Sequence, residues 1–371
     1  MPQTRHLIAL MALAATTAAA QVAPTNNSTE TGSSAAAARG VQAGEPFDYA
    51  SVAFYPDRWE KNDVTSPMLP WVGEEIALIT PDGRFDEKVI GEFVGHLDRG
   101  WALYRDIVGK SPRRHKAYAG KPTIAILPAP GLSCGYGCGY VGSTGIEMSD
   151  FDNHYAAAKN DPLAVPHAYF YEMGRNYFVY RDRHSCFTTG FAVFMRYVCM
   201  DSLELHDSDK QTRKTIDEAI GRFEKNEMSF LDAMTSFGPH GEKGNRLEDE
   251  NGKTIVPSDQ NVLYASLMLQ LREEFGGDDF VRRFYRSLHD APPVRPVDAV
   301  TARKQCLSWL VCASVASKSD LTRRFTRDWK LSLEEETIGR LEKIDWQKTS
   351  ATGAFDIICG AIDLPSVTSP R

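Results

Sequence analysis

The chain has 371 residues and is slightly acidic, with 49 Asp and Glu residues against 42 Lys and Arg residues. A net charge of −7 argues against a nucleic-acid partner, because phosphate backbones are bound by surfaces rich in Lys and Arg. No apolar stretch reaches the roughly 20 residues that a membrane-spanning helix needs, so we expect no membrane span.

The first residues follow the pattern of a secretion signal. Arg5 precedes an apolar run from Leu7 to Ala20, which ends in three alanines that suit signal peptidase cleavage. We therefore expect residues 1–20 to be a signal peptide and the mature protein to be secreted or periplasmic. Residues 21–46 are rich in Ala, Ser, Thr and Gly, a composition that predicts a disordered linker.

The cysteines fit an exported protein. Seven cysteines imply some disulfide bonds and at least one leftover thiol. Cys134 and Cys138, separated by Gly-Tyr-Gly, can close a small ring. Cys186 and Cys199 are expected to stay apart, since a helix of roughly 12 residues between them would span ~18 Å. That span exceeds the ~7 Å Cα separation that a disulfide tolerates.

The first predicted elements form a small α/β region. Short apolar runs predict strands at 76–79 and 121–127. Apolar residues recur three and four positions apart over 86–108 and predict a helix between these strands. A third strand is expected at 144–148, at the edge of the sheet, after a Gly-rich segment. The polar residues 150–160 are expected to form a connection.

The rest of the chain is predicted to be helical. Pro166 suits the first turn of a helix, which we call the motif helix because it carries the sequence discussed below. A charged loop is expected at 181–187 and a second, mostly buried helix at 190–200. Further helical patterns begin at Asp259, at Phe280 and at Gln305.

Four segments carry a resemblance to a known superfamily. They are GIEMS at 145–149, YEMGRN at 171–176, TGFAVFMR at 189–196 and DLTRRFTRDWKLSLE at 320–334. Their order and spacing resemble the gluzincin metallopeptidases, most of all the secreted branch that includes enhancin-like and plant basic-secretory-type proteins. The resemblance covers residues 73–346.

The resemblance implies an α+β, zincin-like fold. We expect a small N-terminal sheet with a backing helix and an edge strand, then the motif helix, then an all-helical C-terminal subdomain. The implied division is an N-terminal α/β subdomain at 47–165, motif helices with the helical subdomain at 166–348, and a C-terminal tail at 349–371.

The zinc motif of the resembled superfamily is degenerate in this chain. In H-E-x-x-H, two histidines one helical turn apart bind zinc and the glutamate is the general base. Tyr171 and Arg175 stand at the two histidine positions, and Thr189 stands where a gluzincin has its third ligand. Arginine has no lone pair to offer a metal. Only the base position, Glu172, is retained, so we expect neither a metal nor another cofactor.

One hypothesis gives the altered motif a metal-free chemistry. Arg175 beside Tyr171 would favour phenolate and bring the tyrosine pKa toward a useful range. Arg175 could also bind a substrate carboxylate with two hydrogen bonds, which suits β-elimination on a uronate-containing glycan. In this hypothesis the chain is a metal-independent hydrolase or lyase that uses Tyr171, Glu172 and Arg175 on an extracellular glycan or glycoprotein.

A variant of this hypothesis pairs Glu172 with a second carboxylate, as glycoside hydrolysis requires. Glu147 on the expected edge strand is the first candidate, and Asp150 and Asp152 follow it. The alternative interpretation of Glu147 is a charge that faces solvent at the sheet edge.

A second hypothesis makes the chain a non-catalytic pseudopeptidase. It would bind a glycan or protein in the cleft that corresponds to the active site of the resembled peptidases. Glu172 and Arg175, three residues apart on one helix, could then form an ion pair within an internal network. A third makes it a zinc peptidase with His167, His184 and Glu172 as atypical ligands. The substrate-binding candidates are Glu147, His167, Tyr169, Asn176, His184 and Thr189.

Overall fold

A computed structural model of the chain describes Gly44 and residues 47–62, 67–81, 85–129, 131–207, 210–235 and 259–359. The expected signal peptide and all of the expected linker except Gly44 lie outside these residues. Within them, no helix is both long enough and apolar enough to cross a membrane.

The described strands form one mixed sheet. They are β1 (Leu69–Val72), β2 (Ala77–Thr80), β3 (Ala117–Tyr118), β4 (Lys121–Ile126), β5 (Gly137–Gly139) and β6 (Ile146–Met148). The order is β1-β2-β4-β6-β5, with β3 paired to β4. Strands β2, β4 and β6 run parallel to one another, while β1 and β5 are antiparallel to their neighbours.

The predicted third strand exists as β6, but its expected place at the sheet edge is wrong. The Gly-rich segment before it forms β5, which folds back as a hairpin and takes the edge position. Strand β6 is therefore an interior strand, bonded to β4 on one side and to β5 on the other.

Helices make up most of the remaining described chain. The first six are α1 (Pro56–Lys61), α2 (Glu87–Val108), α3 (Phe151–Asn160), α4 (His167–Tyr177), α5 (Thr188–Ser202) and α6 (Lys210–Glu224). The next six are α7 (Phe230–Met234), α8 (Asp259–Glu274), α9 (Asp278–Ser287), α10 (Ala299–Ser317), α11 (Glu335–Leu341) and α12 (Ala351–Cys359). The α+β fold class, with a small sheet and a helical C-terminal region, is confirmed.

Helix α2 begins and ends where its capping residues predict. The Asp86 side chain accepts hydrogen bonds from the amides of Lys88 and Val89. Gly109, with φ of 71°, closes the helix in the left-handed conformation that glycine adopts at low cost. Helix α4 begins directly after Pro166, as predicted.

Two local predictions are wrong. The expected polar connection at 150–160 contains helix α3, which buries Phe151, His154 and Ala158 on one side and exposes its charged residues on the other. The expected charged loop at 181–187 forms 3-10 turns with a kink at His184. In both segments the few apolar residues are enough to stabilise helical turns, because each of them packs on a neighbouring element.

The segment that we expected to be a C-terminal tail contains helix α12. Its residues Ala354, Phe355 and Ile358 are buried against the main core, and the helix contacts α10 and α11. The packed domain therefore extends at least to residue 359.

The two faces of the sheet bury different clusters. Ile124, Ile146 and Met148 belong to the main core, which includes residues of α2 and α4. Ala125 and Ile79 face a smaller cluster beneath the N-terminal segment, around Trp59. This alternation follows from the two-residue period of a strand, and it decides which side chains of β6 can meet the motif helix.

Candidate functional site

The motif helix α4 packs against α2, α5 and the edge strand β5. Glu172 points toward β5 and only 6% of its surface is exposed. A side-chain carbon added at Gly137 would lie 2.9 Å from its Oε1, and one added at Gly139 would lie 2.7 Å from the backbone carbonyl oxygen of Glu172. These separations are too short for a real side chain, so the two glycines allow β5 to cover the carboxylate.

The outer edge of β5 faces the motif helix. On the inner side, the Ser149 amide donates to the Tyr136 carbonyl and the Tyr140 amide donates to the Gly145 carbonyl. Antiparallel pairing alternates, so the intervening Gly139 directs its amide away from β6. That amide faces the Glu172 carboxylate and lowers its pKa. Glu172 therefore covers the outer edge of β5 at Gly139.

Burial raises the pKa of Glu172 to about 7. The positive charge of Arg175 and the amide of Gly139 act in the opposite direction, but they do not cancel the cost of removing the carboxylate from water. A pKa near neutrality is typical of general acids and bases, although burial alone produces it here.

Arg175 is engaged elsewhere. Its Nη1 donates to the Thr189 hydroxyl at 3.1 Å, which ties α4 to α5. Among the ion pairs of the described residues, none joins Arg175 to Glu172, so the predicted ion pair is not formed. The charge of Arg175 acts on Glu172 only through space.

Tyr171 does not have the lowered pKa that we expected. Burial raises the pKa of its hydroxyl, and Glu172 raises it further, while Arg175 and Arg196 only partly oppose them. The Arg196 guanidinium carbon lies 5.7 Å from the centre of the Tyr171 ring. Desolvation outweighs both cations, so this tyrosine stays protonated at neutral pH.

Glu147 does not face Glu172. It alternates with Ile146 and Met148 along β6, and these two pack on the side of the motif helix. Its carboxylate lies on the other face, fully buried, where Oε1 accepts a hydrogen bond of 2.6 Å from the Phe54 amide. The predicted pair of carboxylates is therefore not formed, and the solvent-facing interpretation of Glu147 is also wrong.

The other predicted substrate-binding residues make internal contacts. Asn176 donates from Nδ2 to the carbonyls of Tyr140 and Gly145, each at 3.0 Å, and so fastens the β5–β6 hairpin to α4. Tyr169 is fully buried. His167 Nδ1 lies 3.1 Å from Nη1 of Arg196. None of these contacts leaves Tyr169 or Asn176 facing an open cleft.

His184 is buried in an apolar setting beside Phe187, in the 3-10 helix before α5. Burial lowers its pKa to about 3. It does not meet His167 and Glu172, since no group of three or more His, Cys, Asp or Glu side chains within the described ranges is arranged to hold a metal ion. The atypical ligand set is therefore not assembled.

The predicted ring between Cys134 and Cys138 is a disulfide bond. Cys186 and Cys199 are both free, as the length of α5 led us to expect.

A cavity of about 800 Å³ lies beyond the carboxyl ends of the three parallel strands. Pro81, Leu127 and Ser149, which follow β2, β4 and β6 respectively, all line it. Asp150 and Asp152 line it as well, whereas Glu172 does not. The carboxyl ends of parallel strands are a common ligand position in α/β proteins. Sequence analysis missed the cavity because its walls come from separate segments.

Comparison with known proteins gives no function. No protein-family model matches the chain, and no curated protein matches it. Two similar crystal structures are of a functionally unknown conserved protein from Bacillus anthracis strain Ames and of a mutant described in the same terms. Identity is 13% and 12%, and the TM-scores are 0.45 and 0.46. The matches cover 80% and 77% of this chain but only 57% and 55% of those chains.

Proposed function

We propose that this chain is a secreted, non-catalytic binding protein on a gluzincin-like scaffold, which holds an extracellular glycan or glycoprotein. The observation that carries the proposal is the position of Glu172. A general acid or base must reach the proton that it transfers. Glu172, the only residue retained from the zinc motif, is instead buried and covered by β5.

The neighbours of Glu172 support the same conclusion. Arg175 is bonded to Thr189, and burial holds Tyr171 in its protonated form. Arg175, at one of the former ligand positions, thus connects α4 to Thr189 of α5. In this arrangement neither the covered carboxylate of Glu172 nor the bonded guanidinium of Arg175 is presented to a substrate.

The test is a turnover assay on a panel of neutral glycans, uronate-containing glycans, glycoproteins and peptides. We expect no turnover by the wild-type protein, and unchanged ligand binding by Glu172→Gln, which keeps the shape of the carboxyl group. Turnover that the wild type shows and Glu172→Gln lacks, with both proteins folded, would overturn the proposal.

One observation favours the second candidate, a metal-free acid–base enzyme. The pKa of Glu172, about 7, lies where a general acid works at neutral pH. This function would require β5 to move away from the carboxylate. The activity should then depend on a group with a pKa near 7, and both Glu172→Gln and Tyr171→Phe should abolish it. A flat pH profile between 6 and 8 would count against this candidate.

A further inference from the structure

The cavity at the strand ends presents one exposed aromatic side chain. Tyr136 is 51% exposed and lines the cavity together with Cys134 and Gly135. It lies at the centre of the ring that the Cys134–Cys138 disulfide closes. Glycines on both sides would leave it flexible in an open chain, and the disulfide restricts that freedom.

Hydrogen bonds fix Tyr136 at two further points. Its carbonyl accepts from the amide of Ser149 at 2.9 Å and from the Ser149 hydroxyl at 2.6 Å. Its own hydroxyl lies 2.5 Å from Nε2 of His154, and Nδ1 of His154 lies 3.0 Å from the Tyr169 hydroxyl. His154 and Tyr169 are buried, so the ring is held in place before any ligand arrives. Such preorganisation lowers the entropic cost of binding.

The walls of the cavity define the chemistry of its ligand. The exposed carboxylates of Asp150 and Asp152 lie at the start of α3, and none of the described lining residues is Lys, Arg or His. A carboxylate accepts hydrogen bonds and donates none, so the ligand must supply the donors. Phe85, Pro128 and Ala129 add apolar surface. A ligand with an apolar face and several hydroxyl groups meets both requirements.

We propose that this cavity is a binding subsite for an uncharged sugar unit of an extracellular glycan. Tyr136 is the platform on which the sugar ring stacks, and Asp150 and Asp152 accept its hydroxyl groups. The volume of about 800 Å³ falls within the roughly 300–1,000 Å³ of small-molecule sites. The inference deepens the proposed function, on which it rests for the class of ligand.

The experiment is calorimetric titration of the full-length mature protein with cellohexaose, xylohexaose and hexa-N-acetylchitohexaose. We expect one of these uncharged sugars to bind, and Tyr136→Ala to weaken its binding about tenfold or more, as truncation of a central aromatic contact does. Tyr136→Phe keeps the ring and loses one hydrogen bond, so a loss of about threefold is expected. Tyr55→Ala is the matched control, because Tyr55 is 40% exposed outside the cavity lining.

A second variant tests the support of the ring rather than the ring itself. Replacing both Cys134 and Cys138 with Ser removes the disulfide and keeps Tyr136. We expect weaker binding by this variant while its circular dichroism spectrum and thermal unfolding stay close to those of the wild type. Binding as strong as that of the wild type would contradict the role assigned to the disulfide-closed ring.

Other outcomes separate this inference from the proposed function. Equal affinity of Tyr136→Ala and the wild type, binding of none of the three sugars, or a preference for spermidine or oligogalacturonate would each overturn the subsite. A non-catalytic binding protein with its ligand elsewhere would survive those results. Conversely, turnover that is lost in Glu172→Gln would overturn the proposed function, while tight binding that depends on Tyr136 would still support the subsite.

Discussion

Burial sets the charge of two residues inside this protein in opposite ways. Glu172 is held under β5 with its pKa raised to about 7, and His184 is held beside Phe187 with its pKa lowered to about 3. In each case the neutral form is favoured because a charge loses its hydration on burial. Both residues therefore link the stability of the fold to pH.

Glu172→Gln should stabilise the protein at alkaline pH. The pKa of Glu172 rises from 4.5 to about 7 on folding, so its contribution to stability is full below pH 4.5 and is lost as the pH rises through 7. Glutamine does not titrate, so its contribution to stability does not change with pH. The unfolding free energy of the variant, relative to wild type, should increase by about 3 kcal/mol between pH 4.5 and 8. Urea unfolding at these two pH values measures it, and a constant difference would contradict the prediction.

His184→Leu should change stability in the opposite sense. The pKa of His184 falls from 6.5 to about 3 on folding, so its contribution is present above pH 6.5 and is lost as the pH falls toward 3. Leucine does not titrate, so the variant should gain about 2–3 kcal/mol relative to wild type between pH 7 and pH 4.5. Urea unfolding at pH 4.5 and pH 7 tests this. An unfolding free energy of the variant, relative to wild type, that increases as the pH is raised would contradict the prediction.

At the scale of elements, helices α4 and α5 lie in close contact at Gly174. A side-chain carbon added there would lie 2.7 Å from the Cα of Ala192 and 3.0 Å from the Tyr104 hydroxyl. Gly174→Ala should therefore destabilise the protein by about 1–3 kcal/mol, the usual cost of overpacking. Thermal and urea unfolding give the value.

Gly95 provides the matched control for Gly174. It also lies inside a helix, α2, but an added carbon would meet no atom within 4 Å. Gly95→Ala should stabilise by about 0.5–1 kcal/mol, because alanine loses less backbone freedom on folding. Equal effects at the two positions would show that helix propensity, and not packing between α4 and α5, decides both.

The elements that could be predicted are those whose pattern is local. Helix α2 repeats its apolar residues over six turns and has clear caps at Asp86 and Gly109. Strand β5 has only three residues, two of them glycine, and such a segment carries no strand pattern. The interior position of β6 depends on β5, so a local pattern could not reveal it.

For the candidate site, too, only the features that follow from a local sequence pattern could be predicted. The motif located Glu172 on a helix, and the structure confirms that helix. Its coverage by β5, the bond between Arg175 and Thr189, and the face of the sheet that Glu147 occupies all depend on contacts between distant segments. Side chains alternate between the two faces of a strand. Assigning Ile146 and Met148 to the core beside the motif helix would therefore have placed Glu147 on the face of the sheet that points away from that helix.

At the scale of the whole molecule, the two buried groups oppose each other. Between pH 4.5 and 6.5 the contribution of Glu172 falls and that of His184 rises, each by about 1.4 kcal/mol per pH unit. The slope of wild-type stability against pH in this window should therefore lie between the slopes of the two single variants. Plots of unfolding free energy against pH for the three proteins test this, and a wild-type slope outside the range of the two variants would contradict it.

Both edges of the described sheet are closed to other chains. At β1, the Gly44 amide donates to the Pro70 carbonyl, and Phe47 forms a bridge with Met68. At β5, Glu172 lies directly against Gly139 and covers the outer side of the strand. Fibrils grow when a free strand edge recruits another molecule, and neither edge offers a continuous row of donors and acceptors. The native protein should therefore remain thioflavin-negative in concentrated solution, and its resistance to amyloid would depend in part on the Glu172 carboxylate.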